Sequence, residues 1–101
     1  MAFARLATYE LRPGTLDRTI DKAKRELYPE FDALEGVLSY EIVRGEGEVL
    51  VSFATCRDRR VADEMARLAG DWVKKNLRDD IVRSSFHLGE VAVSRGTPEQ
   101  V

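Results

Sequence analysis

The spacing of apolar positions along the chain switches between a period of two and a period between three and four, and the switches predict the order strand–helix–strand–strand–helix–strand. Phe3–Leu11 alternates, with Phe3, Ala7, Tyr9 and Leu11 on one side and Ala4, Leu6 and Thr8 on the other. Both sides are largely apolar, Arg5 and Glu10 excepted, as expected of a central strand covered on both faces. Pro13-Gly14 breaks this strand, and Thr15 is placed to cap a helix with Asp17 near its N-terminal dipole. Leu16, Ile20, Ala23, Leu27, Phe31 and Leu34 then recur at helical spacing, opposite a charged face that includes Asp21, Lys22 and Arg25. Pro29 removes a backbone donor and crowds the preceding turn, so the helix is expected to kink or break near Tyr28 and to continue briefly to Ala33.

The segment 37–55 reads as a β-hairpin. Leu38, Tyr40 and Ile42 alternate with Val37, Ser39, Glu41 and Val43; Val49, Val51 and Phe53 alternate with Leu50, Ser52, Ala54 and Cys56. Between the arms, Gly45 and Gly47 suit the positive φ values of a tight turn. Asp58 is placed to cap a second long helix whose apolar stripe runs through Val61, Met65, Leu68, Ala69 and Trp72. Lys74, Lys75 and Arg78 fall at its C-terminal end, where they complement the dipole. The last strand is expected over 81–88, bending at Gly89 and continuing through Val91 and Val93.

Right-handed crossovers between strands of one sheet leave both helices on the same side, the split βαβ or ferredoxin-like arrangement: an α+β fold with a four-stranded antiparallel sheet. The uncovered sheet face should then be polar, yet apolar residues occupy both faces of the strand patterns, as in Phe3-Ala4 and Val49-Leu50-Val51. A second copy packed sheet to sheet is the simplest cover, which predicts a homodimer through the sheet face.

Composition narrows the functional classes. A length of 101 residues fits one domain, with its core over about 2–94 and a C-terminal tail over 95–101. With 44% hydrophobic and 34% charged residues the chain is globular rather than disordered. A net charge of −2 argues against a nucleic-acid or anionic-membrane binder. The single cysteine, Cys56, excludes an intramolecular disulfide, and no apolar run reaches the length of a membrane span, so the expected location is cytoplasmic.

The run Phe3-Ala4-Arg5-Leu6-Ala7-Thr8-Tyr9-Glu10-Leu11-Arg12-Pro13-Gly14-Thr15, the segment Glu35-Gly36-Val37-Leu38-Ser39-Tyr40-Glu41 and the helix after Cys56 resemble the dimeric α/β-barrel superfamily, especially its antibiotic-biosynthesis-monooxygenase-like domains. The resemblance spans about residues 2–93. It implies a homodimer whose two sheets form a barrel, with a pocket beside the sheet for a small organic ligand. It further implies membership of a group that includes cofactor-independent oxygenases of aromatic polyketides and quinols, haem-degrading enzymes and isomerases. The haem-degrading relatives place a catalytic His and a Trp on the second helix; here that helix carries Trp72 and no His.

Against that background the candidate chemistry is sparse. His87 is the only histidine, so a multi-histidine metal site is impossible, and no cofactor is expected. A cofactor-free oxygenase must deprotonate an electron-rich substrate and stabilise the anion, for which Arg5, Tyr40 and His87 are the candidate catalytic groups. Trp72, Phe53 and Tyr9 are candidate walls for a small aromatic ligand, and Asn76 a candidate amide for a substrate oxygen. For each, the plainer reading is core packing or a sheet-rim position. Cys56 beside Arg57, Arg59 and Arg60 reads either as a reactive thiol near an anion site or as a small buried thiol beside a solvated cluster. Two function classes stay open: a monooxygenase-like enzyme acting on a small aromatic or quinone-like compound, and a non-catalytic ligand-binding or stress-response module, with a purely structural dimer as a third.

Overall fold

The strand β1 (Phe3–Leu11) lies in the interior of the sheet, hydrogen-bonded antiparallel to β3 (Val49–Cys56) on one side and to β4 (Ile81–Glu90) on the other. β2 (Val37–Arg44) pairs with β3 and completes the order β2-β3-β1-β4, with β2 and β4 at the edges. These elements belong to a computed structural model that describes residues 1–95; the expected tail lies, from residue 96 on, outside the described residues. The helices α1 (Leu16–Glu26), α2 (Tyr28–Asp32) and α3 (Arg59–Asn76) cover one face of the sheet. This is the α+β, ferredoxin-like fold expected from the element order.

Local chemistry explains the boundaries. Pro29 sits in the first turn of α2, where its missing N–H costs no hydrogen bond, and the helical stripe breaks at Leu27 as the sequence pattern requires. The Asp58 carboxylate accepts from the Val61 N–H at 3.1 Å and caps α3. The start of α1 is built differently from expectation. Thr15 donates its hydroxyl to the Arg12 carbonyl at 2.8 Å, and the free amides of Gly14 and Leu16 donate instead to the Glu48 carboxylate, at 3.0 and 3.3 Å. The cap therefore comes from the β2–β3 turn, across 34 residues of chain. In that turn Gly47 alone takes a positive φ, of 71°. Gly36, at φ 98°, is required on steric grounds as well, because a Cβ there would approach a Val61 methyl to 2.8 Å. β4 runs on through Gly89 to Glu90; its irregularity lies opposite the Glu10–Leu11 step, and Val91 and Val93 fall beyond it.

Pairing fixes the faces. Leu50, Ser52, Ala54 and Cys56 of β3 face the helices with Arg5, Ala7, Tyr9 and Leu11 of β1, and Tyr40 joins them through its pairing with Ala54. The main core gathers Ala23, Leu27, Phe31, Ala54, Val61 and Met65, and a smaller cluster joins Leu11, Leu16, Ile20 and Leu50. The opposite face carries Leu6, Val43, Val51 and Phe53, with Val43 47% and Phe53 38% exposed. Among the described residues, no helix is long and apolar enough to cross a membrane.

At the β2 edge, Tyr28, Phe31 and Tyr40 form an aromatic triangle with centroids 5.5 to 5.9 Å apart, and the Tyr40 hydroxyl donates to Asp32 at 2.8 Å. Burial pushes both tyrosines up to about 12, with the Asp32 hydrogen bond adding to the effect at Tyr40 and the Tyr40 hydroxyl at Tyr28. The folded chain thus holds these protons more tightly than the unfolded chain, whose tyrosines ionise near pH 10. Their contribution to stability is complete below about pH 10 and is lost as pH rises toward 12. Urea midpoints measured against pH should fall across that window, and the Tyr28→Phe/Tyr40→Phe double variant should flatten the fall.

Candidate functional site

Because β1 is paired on both sides, its odd-numbered residues have one place to go, the helix-covered face. Arg5 is among them and is only 1% exposed. Its Nη1 donates to Ser52 Oγ at 3.2 Å, its Nε has no partner, and among the described residues no carboxylate pairs with it. The Phe86 ring lies over the guanidinium, with Cζ 5.7 Å from the centroid. Burial lowers the Arg5 pKa below its ordinary value, opposed by the neighbouring Tyr9 hydroxyl and then by Cys56, but an arginine remains protonated at neutral pH. Burial likewise raises Tyr9, and Arg5 opposes that shift. An uncompensated ion in a protein interior costs on the order of several kcal/mol. Arg5 is therefore the residue of the interior that packing alone does not explain.

Arg5 and Tyr9 form the floor of a cleft of about 290 Å³. Ala66, Gly70 and Val73 of α3 make one wall; Ser84, Ser85 and Phe86 of β4 make the other. The cleft exists because these side chains are small. Ala66 and Gly70 lie four apart, on one stripe of α3, and a Cβ on Gly70 would meet nothing within 4 Å. α3 packs against β1 and β3, leaving Phe86 and Val82 of the edge strand 49% and 58% exposed. Tyr9 and Val73 also line a second, inner cavity of about 30 Å³, walled by Trp72, Leu27, Tyr28 and Leu77. That volume suits about two waters and not an aromatic ring, whereas the outer cleft is one of several open depressions of about 290 to 540 Å³.

The other sequence candidates separate. Trp72 lines the inner cavity and donates its indole N–H to Glu26 at 2.9 Å, tying α3 to α1. Asn76 spends its amide on the Trp72 carbonyl at 2.9 Å and lies in an open surface depression with Lys74 and Arg78. Tyr40 shares the helix-covered face with Arg5, but β3 lies between their strands, which puts the backbones about 10 Å apart. It belongs to the aromatic triangle rather than to the cleft. Phe53 pairs with Glu41 and Leu6 on the opposite face, so it does not share a wall with Trp72 and Tyr9. His87, paired with Leu6, is exposed on that opposite face as well, and the grouping of Arg5, Tyr40 and His87 is corrected to three separate positions. Cys56 is fully buried, its Sγ 3.5 Å from Met65 Sδ, and burial raises its pKa, so it matches the plainer reading of a small buried thiol. Arg57 and Arg59 pair with Asp58 and Asp63 at 3.5 and 3.7 Å. Among the described residues, no group of three or more His, Cys, Asp and Glu side chains is placed to hold a metal ion.

The signals the sequence reading passed over were positional. Arg5 has the parity of Ala7 and Tyr9, and the Ala66–Gly70 spacing marks a helix stripe too small to cover a strand.

The four-stranded antiparallel sheet with helices on one face superposes on solved structures that include proposed antibiotic biosynthesis monooxygenases. A protein of unknown function from Nitrosomonas europaea superposes with a TM-score of 0.76 at 15% identity, over 95% of this chain and 94% of that one. A protein from Mycobacterium tuberculosis gives 0.75 at 18%, over 96% and 100%. A proposed antibiotic biosynthesis monooxygenase from Chloroflexus aurantiacus gives 0.70 at 13%, over 95% and 98%. At such identities the likeness is one of fold. No family model matches the sequence, and no curated protein matches it.

Replacing a buried charge by an apolar side chain of similar length removes a desolvation penalty. Arg5→Met is expected to raise the unfolding free energy by about 1 to 4 kcal/mol, read from urea titration, with an unchanged far-ultraviolet spectrum.

Proposed function

We propose that the protein is a homodimeric, cofactor-independent monooxygenase-like enzyme that takes a small aromatic or quinone-like compound into the cleft between α3 and β4. The observation that carries this reading is the buried, carboxylate-free guanidinium of Arg5 on the floor of a ligand-sized cleft. Oxygenation without a cofactor requires the substrate to supply electrons to dioxygen, which an ionised phenol or a doubly activated methylene does far better than its neutral form. In the overall change, a methylene and dioxygen become a carbonyl and water. Arg5 would lower the substrate's pKa by favouring its anion, Tyr9 would donate its hydroxyl to a second oxygen, and Val73 and Phe86 would hold the ring.

One observation favours the alternative, a ligand-binding module without turnover. Among the described residues the cleft is lined by no carboxylate or imidazole, and the Tyr9 pKa is raised, so no described group there is a ready proton acceptor at neutral pH. Solvent must then take the substrate's proton.

Oxygen uptake with a panel of hydroquinones and polyphenols decides between the two. Turnover is expected, with Arg5→Met lowering kcat/KM by about 100-fold and His87→Ala leaving it unchanged, since His87 lies on the other face. No uptake across the panel selects the binding module, and an unaltered rate in Arg5→Met removes the proposed chemistry.

The homodimer rests on the uncovered sheet face, where Leu6 of β1 adjoins Val51 and Phe53 of β3. Light scattering at micromolar concentration is expected to give the mass of two chains, and Phe53→Lys to give one.

A further inference from the structure

We infer that a second copy of the chain docks on the uncovered sheet face about a two-fold axis parallel to the strands, with Glu41 of each subunit against His87 of the partner subunit, so that the dimer tightens as the imidazole takes up a proton. The inference rests on the homodimer proposed above and adds to it a contact and a regulation.

The register sets four residues side by side in one row across that face: Glu41 of β2, Phe53 of β3, Leu6 of β1 and His87 of β4. The row is apolar in the middle, acidic at one edge, and carries the imidazole at the other. The next row, Val43, Val51, Thr8 and Ser85, is apolar toward β2 and hydroxylic toward β4, where Thr8 and Ser85 bond to each other at 2.6 Å. One row further, Glu10 and Arg83 pair within the subunit at 3.5 Å. Glu41 and His87 are exposed and, among the described residues, have no ionic partner. They are the titratable groups that the face leaves unmatched.

Symmetry selects the arrangement. Two copies packed sheet to sheet are related by a two-fold axis between the sheets, running either along the strands or across them. An axis along the strands, between β3 and β1, reverses the strand order and keeps each row over itself. Glu41 then meets His87 of the partner subunit, Phe53 meets the partner's Leu6, and each contact occurs twice. An axis across the strands lays β2 over β2 and β4 over β4, which gathers both Glu41 carboxylates at one edge and both imidazoles at the other. Like charges then share an edge, so charge complementarity favours the first axis. The face is large enough to hold a partner. Strands of eight residues, four abreast, at ~3.3 Å per residue and ~4.8 Å between strands, give roughly 500 Å² per subunit, and two such faces reach the ~1,000 Å² of a specific interface.

The pH dependence follows from the pair. Imidazoles change charge between about pH 5 and 8, where carboxylates are ionised. A carboxylate opposite favours the charged imidazole, so assembly draws protons from solvent, up to two per dimer. The stabilisation is full at the acid end of that range and is lost as pH rises through it. The other charges of the face, Glu10 and Arg83, stand four residues along their strands from this row and neutralise each other, and β3 presents none to it.

Sedimentation equilibrium at pH 6 and pH 8 tests this. Two equivalent pairs at about threefold each should place the dissociation constant of the unaltered dimer about tenfold lower at pH 6 than at pH 8. Glu41→Gln and His87→Gln, at exposed positions that leave the sheet intact, should each bring that ratio below about twofold. The exchanged variant Glu41→His/His87→Glu should restore it, because the same two-fold brings the same two groups together. A dimer equally tight at both pH values, a dimer tighter at pH 8, a pH dependence that survives in Glu41→Gln, or no recovery in the exchanged variant would each overturn the inference and leave the homodimer standing. A monomer at both pH values overturns the two together and assigns the face to a different partner.

Discussion

A strand hydrogen-bonded along both edges cannot rotate about its axis, and β1 is held this way from Phe3 to Glu10. Its pleat then decides the environment of every side chain it carries. Ala7, Tyr9 and Leu11 go under the helices, which is where apolar surface is stabilised, and Arg5 goes with them because no twist of the strand could send it elsewhere. The ferredoxin-like sheet thus turns one residue's parity into a permanently buried charge. The cation is partly eased by the Ser52 hydroxyl and the Phe86 ring, neither of which is an anion.

Much of the architecture can be read from residue periodicity: the element order, the break at Pro29 and the cap at Asp58 each have a local cause within a few residues. The Glu48 cap was not legible, because its partners are brought together only by the tertiary fold, and Thr15 is the residue type that ordinarily does that work. The faces of the hairpin were open for a related reason. Both sides of the β3 alternation are largely apolar, and the helices press closest on Ser52, Ala54 and Cys56, where small side chains let them approach. Residue volume, more than hydrophobicity, separates the two faces.

The site was legible in part. Arg5, Tyr9 and Trp72 stand out from the sequence as unusual or aromatic residues, and the fold gathers the first two on one cleft floor while Trp72 walls the cavity behind. What periodicity does not disclose is an absence of volume. The cleft is a place where α3 and β4 fail to meet, and its cause is the shortness of Ala66, Gly70 and Ser84 rather than any reactive group. The gap lies beside Arg5, a buried cation with no ionic partner among the described residues.

The Glu48 contact also couples distant parts of the chain. The Gly14 and Leu16 N–H groups donate to its carboxylate, and the Leu11 N–H donates to its carbonyl at 2.8 Å. The end of β1 and the start of α1 thus share one acceptor residue in the turn between β2 and β3, so a change in that turn frees donors at both.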